Sequence, residues 1–258
     1  MKVFVLGHHG MLGHVVARYL GEQGHEVNTS ELRYTGVPRD PLVETVRASG
    51  CAWVVNAIGK IHQKSPPPAE LFLANARLPV HLKSRLTPGQ RLIHASTDCV
   101  FSGRRGAYRV DDECDAEDLY GFSKILAESA AEPGRCFMLR TSIIGLETAS
   151  AYGLMAWFLS QRKPVGGFQN HLWNGITSLE WAKVCAELMA GRLPAAPVLQ
   201  AAAAQPVSKY ELLRLIASRW PGSAEVKPVD APERIDRTLV PQLPRPSLAA
   251  QLDDLKAW

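Results

Sequence analysis

Five short apolar segments, most of them rich in β-branched and aromatic residues, alternate along the chain with longer stretches whose apolar positions recur at helical spacing. They are "KVFVLG", "HEVNTS", "CAWVVNAIG", "RLIHASTDCVF" and "RCFMLRTSIIG", which begin at residues 2, 25, 51, 91 and 135. The second of them is the weakest strand candidate. This alternation predicts βαβ units, and therefore an α/β fold in which helices cover both faces of a parallel sheet.

Helix ends are indicated by glycine and by capping residues. The first helix is expected from about Met11 to Gln23, because Gly24 suits the left-handed conformation that follows a helix. Two later segments, "TSLE" at Thr177 and "SKYE" at Ser208, place a hydroxyl and a glutamate three residues apart. This spacing is typical of a capping box, so each segment predicts a helix start.

These two helices lie beyond the last clear strand and among proline-rich stretches. We therefore expect residues 1–145 to form a dinucleotide-binding domain. Residues 146–258 are expected to form a smaller C-terminal lobe, with some elements interleaved between the two.

Glycines at a spacing of three stand where the first strand gives way to the first helix. Gly7, Gly10 and Gly13 of "GHHGMLG" match a dinucleotide fingerprint: a tight turn, a close approach to pyrophosphate, and close helix packing. Free amides at the helix N-terminus would favour the anionic diphosphate. The plainer alternative is a strand-to-helix turn with a packing glycine. His8 and His9 fill the variable positions and receive no metal role, because the sequence suggests no third ligand nearby.

Residues after the second strand usually distinguish NAD from NADP. The stretch "NTSELRY" offers the hydroxyl of Ser30, the acid Glu31 and the base Arg33. We predict NADP(H) in preference to NAD(H), bound through Ser30 and Arg33. The alternative is that Arg33 is a solvated surface charge.

Composition excludes several classes of protein. A chain of 258 residues can bury a sizeable core, and a net charge of +4 without a basic run argues against nucleic acid as a partner. The longest apolar runs are shorter than the roughly 20 residues that cross a bilayer, and the N-terminus lacks the pattern of a secretory signal. We expect a cytoplasmic protein without a membrane partner. The five scattered cysteines predict reduced thiols rather than disulfides or a zinc site.

Tyr120 and Lys124 in "DLYGFSKILAE" fall one helical turn apart on the same face. A lysine cation near a phenol lowers the phenol pKa from about 10, which predicts general acid–base chemistry on a carbonyl or alcohol. Upstream, "HASTDCVFSG" ends a strand in Ser96, Thr97 and Asp98. Hydroxyls at that edge of a parallel sheet point into the ligand crevice, where Thr97 can hydrogen-bond a substrate oxygen. Alternatively, these hydroxyls only cap the strand end.

With these features in order, the chain resembles the extended short-chain dehydrogenase/reductases, and within them the dTDP-4-dehydrorhamnose reductase-like sugar-nucleotide reductases. The matching stretches are "VFVLGHHGMLGHVVARYL", "VVNAIG", "STDCVFSG", "YGFSKILAE", "LRTSIIG", "WNGITSLEWAKV" and "QPVSKYELLRLIA". The resemblance implies a Rossmann-type doubly wound parallel sheet with a smaller C-terminal substrate lobe. It also implies NAD(P)H-dependent reduction of a nucleotide-linked keto-sugar of the 4-keto-6-deoxyhexose type, and it leaves a homodimer open.

The resemblance further implies roles for single residues. Tyr120 would protonate the ketone oxygen, Lys124 would hold the nicotinamide ribose and lower the pKa of Tyr120, and Thr97 would polarise the same oxygen. The predicted cofactor contacts are Gly7, His9, Gly10, Met11, Leu12, Gly13, Ser30, Arg33, Asn56, Ala57, Gly59, Asn75, Tyr120 and Lys124. The predicted substrate contacts are Thr97, Asp98, Val100, Tyr120 and Trp173.

The chain also departs from the family pattern. Cys99 stands where the family commonly has tyrosine, His8 and His9 stand where it has small residues, and the segment "HLWNG" at 171–175 differs. His171, Trp173 and Asn174 would either line the sugar pocket or form a packed turn. The identity of the sugar therefore stays open.

Two other functions are compatible with the same motifs. An epimerase or dehydratase on this scaffold would consume no NADPH, and Asp98 beside Thr97 keeps the dehydratase open. A dinucleotide-binding regulatory subunit, like that of methionine adenosyltransferase, would need no catalysis. The complete set of Thr97, Tyr120 and Lys124 argues against the regulatory subunit. The sequence offers no further acid–base pair as clear as Tyr120 and Lys124, such as a glutamate beside the threonine, which argues against the epimerase or dehydratase.

Overall fold

Strands and helices alternate along most of the chain. The computed structural model describes residues 1–61, 65–147 and 152–258. The strands are β1 (Lys2–Leu6), β2 (Glu26–Asn28), β3 (Trp53–Asn56), β4 (Arg91–Ala95), β5 (Cys136–Arg140), β6 (Ile143–Ile144), β7 (Val165–Phe168), β8 (His171–Trp173), β9 (Ile176–Thr177), β10 (Val198–Ala203), β11 (Val207–Ser208), β12 (Val226–Val229), β13 (Ile235–Asp236) and β14 (Leu243–Arg245). The helices are α1 (Gly13–Glu22), α2 (Pro41–Ala48), α3 (Pro68–Phe72), α4 (Leu78–Arg85), α5 (Leu119–Glu128), α6 (Leu154–Ser160), α7 (Ser178–Met189), α8 (Lys209–Ala217) and α9 (Leu248–Ala257). A π turn, Leu73–Arg77, joins α3 to α4, and a 3-10 turn, Asp98–Val100, follows β4.

The central sheet has the strand order β14-β10-β5-β4-β3-β1-β2, and every pairing in it is parallel. The chain leaves β1 towards β2 on one side and then returns to β3 on the other. This reversal opens a crevice at the carboxyl ends of β1 and β3, the position at which open α/β sheets bind ligands. All five strands expected from the apolar pattern are present, so the predicted parallel sheet is confirmed.

Helices cover both faces of this sheet. Along β1, Val3 and Val5 pack into one apolar cluster with α1, α7 and α9, whereas Phe4 and Leu6 pack into a second with α2 and α4. Burial on both faces explains why the strand is a continuous apolar run rather than an alternating one. The predicted doubly wound architecture is confirmed.

The chain beyond residue 145 contributes to this sheet and also forms smaller sheets of its own. Strands β10 and β14 extend the central sheet, while β8 pairs with β11 and β13 and β7 pairs with β12. Both predicted helix starts are confirmed, because Thr177 and Ser208 accept hydrogen bonds from the amides of Glu180 and Glu211. A division into two domains at residue 145 stays a prediction.

The first helix differs slightly from its prediction. It begins at Gly13 rather than Met11, because the residues before Gly13 form the turn that joins it to β1. Within the described ranges, no helix has the length and apolar character that a membrane span requires.

Candidate active site

The glycine loop between β1 and α1 is closely packed at two of its three glycines. Gly7 has a φ of +79°, which favours glycine, and a Cβ on Gly13 would lie 2.0 Å from the carbonyl oxygen of Gly7. Gly10 has more room, and its amide donates to the Gly7 carbonyl at 2.9 Å. Glycine is therefore required where the turn reverses and where α1 meets it, as the fingerprint predicts.

The start of α1 leaves donors free. In the described part of the chain, the amides of Met11, Leu12 and Gly13 have no hydrogen-bond acceptor. These amides lie at the N-terminus of a ten-residue helix, at the crevice beside β1. The helix dipole adds partial positive charge there. These groups fit a diphosphate, so the residues present suit the predicted dinucleotide.

The end of β3 lies against this loop. A Cβ on Gly7 would lie 3.1 Å from the carbonyl carbon of Ala57. Buried Asn56 shapes the turn there, because its Oδ1 accepts from the amide of Ile58 at 3.0 Å and its Nδ2 lies 3.1 Å from Nδ1 of His94. The structure thus brings Asn56 and Ala57 to the predicted cofactor crevice, with Asn56 bonded to protein rather than open to a ligand.

Asn75, in the π turn, fixes the next part of the crevice. Its Oδ1 accepts from the amide of Lys60 at 2.8 Å, and its Nδ2 donates to the Lys60 carbonyl at 2.9 Å and to Oγ of Ser123 at 3.1 Å. A Cβ on Gly59 would lie 3.5 Å from Oδ1 of Asn75 and 3.6 Å from Nζ of Lys124. The predicted residues Gly59, Asn75 and Lys124 therefore meet, although they come from three elements.

The residues expected to bind the cofactor ribose lie in the coil after β2, and their contact with the cofactor stays a prediction. Glu31, rather than Ser30 or Arg33, contacts the glycine loop, and its carboxylate lies 3.1 Å from Nε2 of His8 and 2.9 Å from Nε2 of His9. Among the described residues these three side chains form the only cluster that could hold a metal ion. The sequence argument that no third ligand stands near the histidines is therefore wrong, because the coil after β2 folds back onto the loop. Arg33 is exposed, and Oγ of Ser30 accepts a hydrogen bond from the backbone two residues further on.

Tyr120 and Lys124 lie on the first two turns of α5, whose N-terminus is capped by Asp118. The Nζ of Lys124 donates to the carbonyl of Ala95 at 2.7 Å, and its side chain is buried. Burial lowers the pKa of Lys124 to about 8, while the carboxylate of Glu128 opposes this change. The lysine is therefore held at the end of β4, facing the crevice.

The pKa of Tyr120 shifts in the direction opposite to the prediction. Burial raises it, the neighbouring thiol of Cys99 and carboxylate of Asp98 add to the rise, and the interaction with Thr97 lowers it. The loss of hydration outweighs any lowering by the cation of Lys124 one turn away, so the expected net lowering is wrong in this structure.

Thr97 both caps the 3-10 turn and faces the tyrosine. Its Oγ1 accepts from the amide of Cys99 at 3.1 Å and donates to Oδ1 of Asp98 at 3.1 Å. A Cβ on Gly121 would lie 2.3 Å from the carbonyl oxygen of Cys99, so α5 packs directly on this turn. The two interpretations of Thr97 are compatible, because the same hydroxyl caps the 3-10 turn and lies beside Tyr120.

Two of the predicted substrate contacts, Val100 and Trp173, are buried. Val100 is fully buried in an apolar cluster with Phe101 and Tyr108, and its carbonyl accepts from the amide of Ala116. It belongs to the core of this region, and its assignment as a substrate contact stays a prediction. Trp173 is also buried, and its ring lies 5.0 Å from Nζ of Lys209.

Lys209 is a charged residue of this region that the sequence argument missed. Its charge interacts with those of Asp98 and Arg237, which places all three near the turn that carries Thr97. The sequence signal was its position inside "SKYE". The capping box explains Ser208 and Glu211 in that segment but gives no reason for a lysine between them. Asn174 is structural, since its side chain accepts from the amide of Leu239 and donates to the Leu239 carbonyl.

Comparisons with known proteins agree with this geometry. The profile of the RmlD substrate binding domain matches residues 1–254. A dTDP-4-dehydrorhamnose reductase of Mycolicibacterium smegmatis is 30% identical over 149 residues, which cover 55% of this chain and 45% of that protein. The chain therefore spans about half the length of this relative in the match.

Solved structures show the same fold at low sequence identity. A dTDP-4-dehydrorhamnose reductase from Bacillus anthracis, in complex with NADP, has a TM-score of 0.83 and 17% identity, covering 98% of each chain. A dTDP-glucose 4,6-dehydratase from Bacillus anthracis, in complex with NAD, has a TM-score of 0.77 and 13% identity, covering 100% of this chain and 96% of that one. Because one fold serves both reactions, the choice between them depends on the residues of the site.

Proposed function

This chain belongs to the family of the RmlD substrate binding domain, and from that membership and the geometry above we propose that it is a sugar-nucleotide reductase. It would transfer a hydride from NADPH to the keto group of a nucleotide-linked sugar and release the alcohol. The observation that carries the proposal is the position of three side chains at the carboxyl ends of β3 and β4: Thr97 lies beside Tyr120, and Lys124 donates to the Ala95 carbonyl close to Gly59.

Tyr120 is the proton donor in this proposal. Because burial raises its pKa, the phenol is protonated at neutral pH and can give its proton to a ketone oxygen. Epimerases and dehydratases begin by oxidising an alcohol, which requires the deprotonated phenol. A protonated phenol suits reduction, and the family membership rather than the size of the pKa shift favours a reductase over these two.

Thr97 and Lys124 would support the same step. The hydroxyl of Thr97 lies beside the phenol and would hydrogen-bond the substrate oxygen as negative charge develops on it. Lys124, fixed by the Ala95 carbonyl, would hold the ribose of the cofactor and place its cation near the phenolate that remains. The bound dinucleotide supplies the hydride, and its diphosphate would lie on the free amides of Met11, Leu12 and Gly13.

NADPH is proposed in preference to NADH. Arg33 is exposed and, among the described residues, has no hydrogen-bond or ion-pair partner, so its guanidinium is free for a 2′-phosphate. Ser30 uses its oxygen as an acceptor and keeps its hydroxyl proton to donate. Glu31, the acid that would otherwise bind ribose hydroxyls, is engaged by His8 and His9.

The substrate is proposed to be a nucleotide 4-keto-6-deoxyhexose, whose sugar would lie between the Thr97 turn and Trp173. A dehydratase on this scaffold needs a further base at the sugar. The candidate base in the sequence is Asp98, whose Oδ1 already accepts the hydroxyl proton of Thr97 at 3.1 Å. The neighbouring thiol of Cys99 is no substitute, because burial raises its pKa to about 12.

The test is NADPH oxidation, followed by absorbance, with a panel of enzymatically generated nucleotide 4-keto-6-deoxy sugars. The variant Tyr120→Phe removes the proton donor and should lower kcat by about 10² to 10⁴. The matched control Tyr19→Phe removes a hydroxyl from α1, outside the site, and should leave kcat unchanged.

Three results would contradict the proposal. Near-normal turnover by Tyr120→Phe would remove the tyrosine from the mechanism. Conversion of a sugar nucleotide without loss of NADPH would point to the epimerase or dehydratase. Binding of NADPH with no turnover of any substrate would point to a regulatory subunit.

A further inference from the structure

Lys209 occupies a position that protein stability does not explain. It is the first residue of α8, immediately after the capping residue Ser208. A cation at a helix N-terminus opposes the helix dipole, and the acid of the capping box, Glu211, is bonded to Ser208 rather than to the lysine. The position is thus unfavourable for a lysine on local grounds.

The ammonium of Lys209 is also unpaired. Across the described ranges it has no hydrogen-bond acceptor, and no carboxylate lies within 4.0 Å of it. It lies over the ring of Trp173, whose centroid is 5.0 Å away. The side chain is half-buried, and burial lowers its pKa to about 8 although the charge of Asp98 opposes this. An unpaired charge of this kind costs stability unless a ligand pairs with it.

The pairing of strands brings the lysine to the site. Val207 in β11 lies opposite Trp173 in β8, so the chain enters α8 beside the Trp173 ring. The groups that act on Lys209 are Asp98 and Cys99 from the 3-10 turn and Arg237 after β13.

The other charged groups near the 3-10 turn already have partners. Asp98 accepts the hydroxyl proton of Thr97 at 3.1 Å, and Asp118 accepts from the amide of Gly121 at 2.7 Å. Arg237 donates to the carbonyl of Phe101, directly after the turn, at 2.9 Å. Among the described residues, the ammonium of Lys209 keeps all its donors for an anionic ligand.

We propose that Lys209 binds an anionic oxygen of the sugar-nucleotide substrate and so helps to decide which sugar nucleotide the site accepts. The inference rests on the proposed function. Two groups of such a substrate carry this chemistry: the diphosphate, and a carboxylate on the sugar ring. An ammonium that has no other partner gains a charge-assisted hydrogen bond from either group.

The test measures binding rather than turnover. Calorimetry with NADP⁺ present measures the affinity for two series of ligands. One is UDP, UDP-glucose and UDP-glucuronate, and the other is dTDP, dTDP-glucose and dTDP-glucuronate. The full-length protein is compared with Lys209→Met, Lys209→Arg and the exposed control Lys227→Met. Lys209→Met should weaken binding by about ten- to a hundredfold, the range of one hydrogen bond to a charged group. Lys209→Arg should stay within a few-fold of the native chain, and Lys227→Met should not change.

The choice of ligands distinguishes the diphosphate from a sugar carboxylate as the anion that Lys209 binds. An equal loss for all three ligands of a series identifies the diphosphate, and a loss confined to the glucuronate identifies a carboxylate on the sugar. Thermal unfolding distinguishes a binding role from a structural one: removing an unpaired cation should leave the Tm of Lys209→Met unchanged or higher, whereas a lysine that holds the fold together would lower it.

Two outcomes overturn the inference in distinguishable ways. Unchanged affinities in Lys209→Met refute the role of the lysine while the proposed function stands. A native chain that binds none of these ligands refutes the inference, and the NADPH oxidation assay then decides separately whether the proposed function stands.

Discussion

Gly13→Ala should damage both the fold and the cofactor crevice. The new Cβ would lie 2.0 Å from the Gly7 carbonyl oxygen, 2.5 Å from its carbon and 2.9 Å from the amide nitrogen of His8. Ordinary contacts begin at 3.4 Å, so the helix and the turn must separate by about 1.4 Å. All three neighbouring atoms belong to the backbone, and none can move by a change of rotamer.

The magnitude follows from this overlap. Overpacking typically costs about 1–3 kcal/mol, and a domain of this size loses about 2–4 °C of Tm for each kcal/mol. The displaced amides are the ones proposed to bind the diphosphate. Because a shift of about 1 Å can cost about 10²-fold when groups must be aligned, NADPH affinity should fall by a comparable factor.

Gly21→Ala is the matched control, since it makes the same change on the same helix. A Cβ there meets nothing within 4 Å. Alanine should stabilise α1 by roughly 0.5–1 kcal/mol, because glycine in a helix loses more conformational entropy on folding. Tm and the Kd for NADPH are measured for both variants. If Gly13→Ala keeps the native Tm and Kd, the inference that this contact shapes the cofactor site is refuted.

Two further predictions concern charges. Glu128→Ala would leave the Arg140 guanidinium buried without the carboxylate it contacts at 2.6 Å, and should lower the free energy of unfolding by about 3–5 kcal/mol. In denaturant titration, Glu22→Ala in an exposed pair should have no such effect, and equal effects would contradict the argument. Glu31→Gln removes a negative charge beside the proposed 2′-phosphate site, so the ratio of kcat/KM for NADPH to that for NADH should rise several-fold. An unchanged ratio would place Glu31 away from the cofactor.

The features that the sequence predicts well are those specified by neighbouring residues. The strands are visible as apolar runs, the starts of α7 and α8 as capping residues, and the glycine loop as a fixed spacing between β1 and α1. Each depends on local geometry and on burial in the two faces of the sheet. The reversal of strand order that forms the crevice is implied by the family resemblance, because alternation alone does not fix the order of the strands.

The features that it does not predict depend on contacts between distant segments. Glu31 reaches His8 and His9 only because the coil after β2 folds back, and no local pattern specifies that path. Lys209 meets Trp173 through the pairing of β11 with β8. Burial cannot be judged from spacing either, and it is burial that decides the sign of the pKa shifts at the site.

The pKa shifts of Tyr120 and Lys124 have one cause and are compatible with one mechanism. Burial disfavours the charged form of each, so the pKa of the phenol rises and that of the ammonium falls to about 8. At neutral pH the phenol is therefore protonated while most of the lysine is still charged. A reductase needs this combination, because the donor must hold its proton until the ketone is present and the phenolate must then be stabilised. In the proposed reductase, the cation of Lys124 would therefore act after the proton is given rather than before, by stabilising the phenolate that remains.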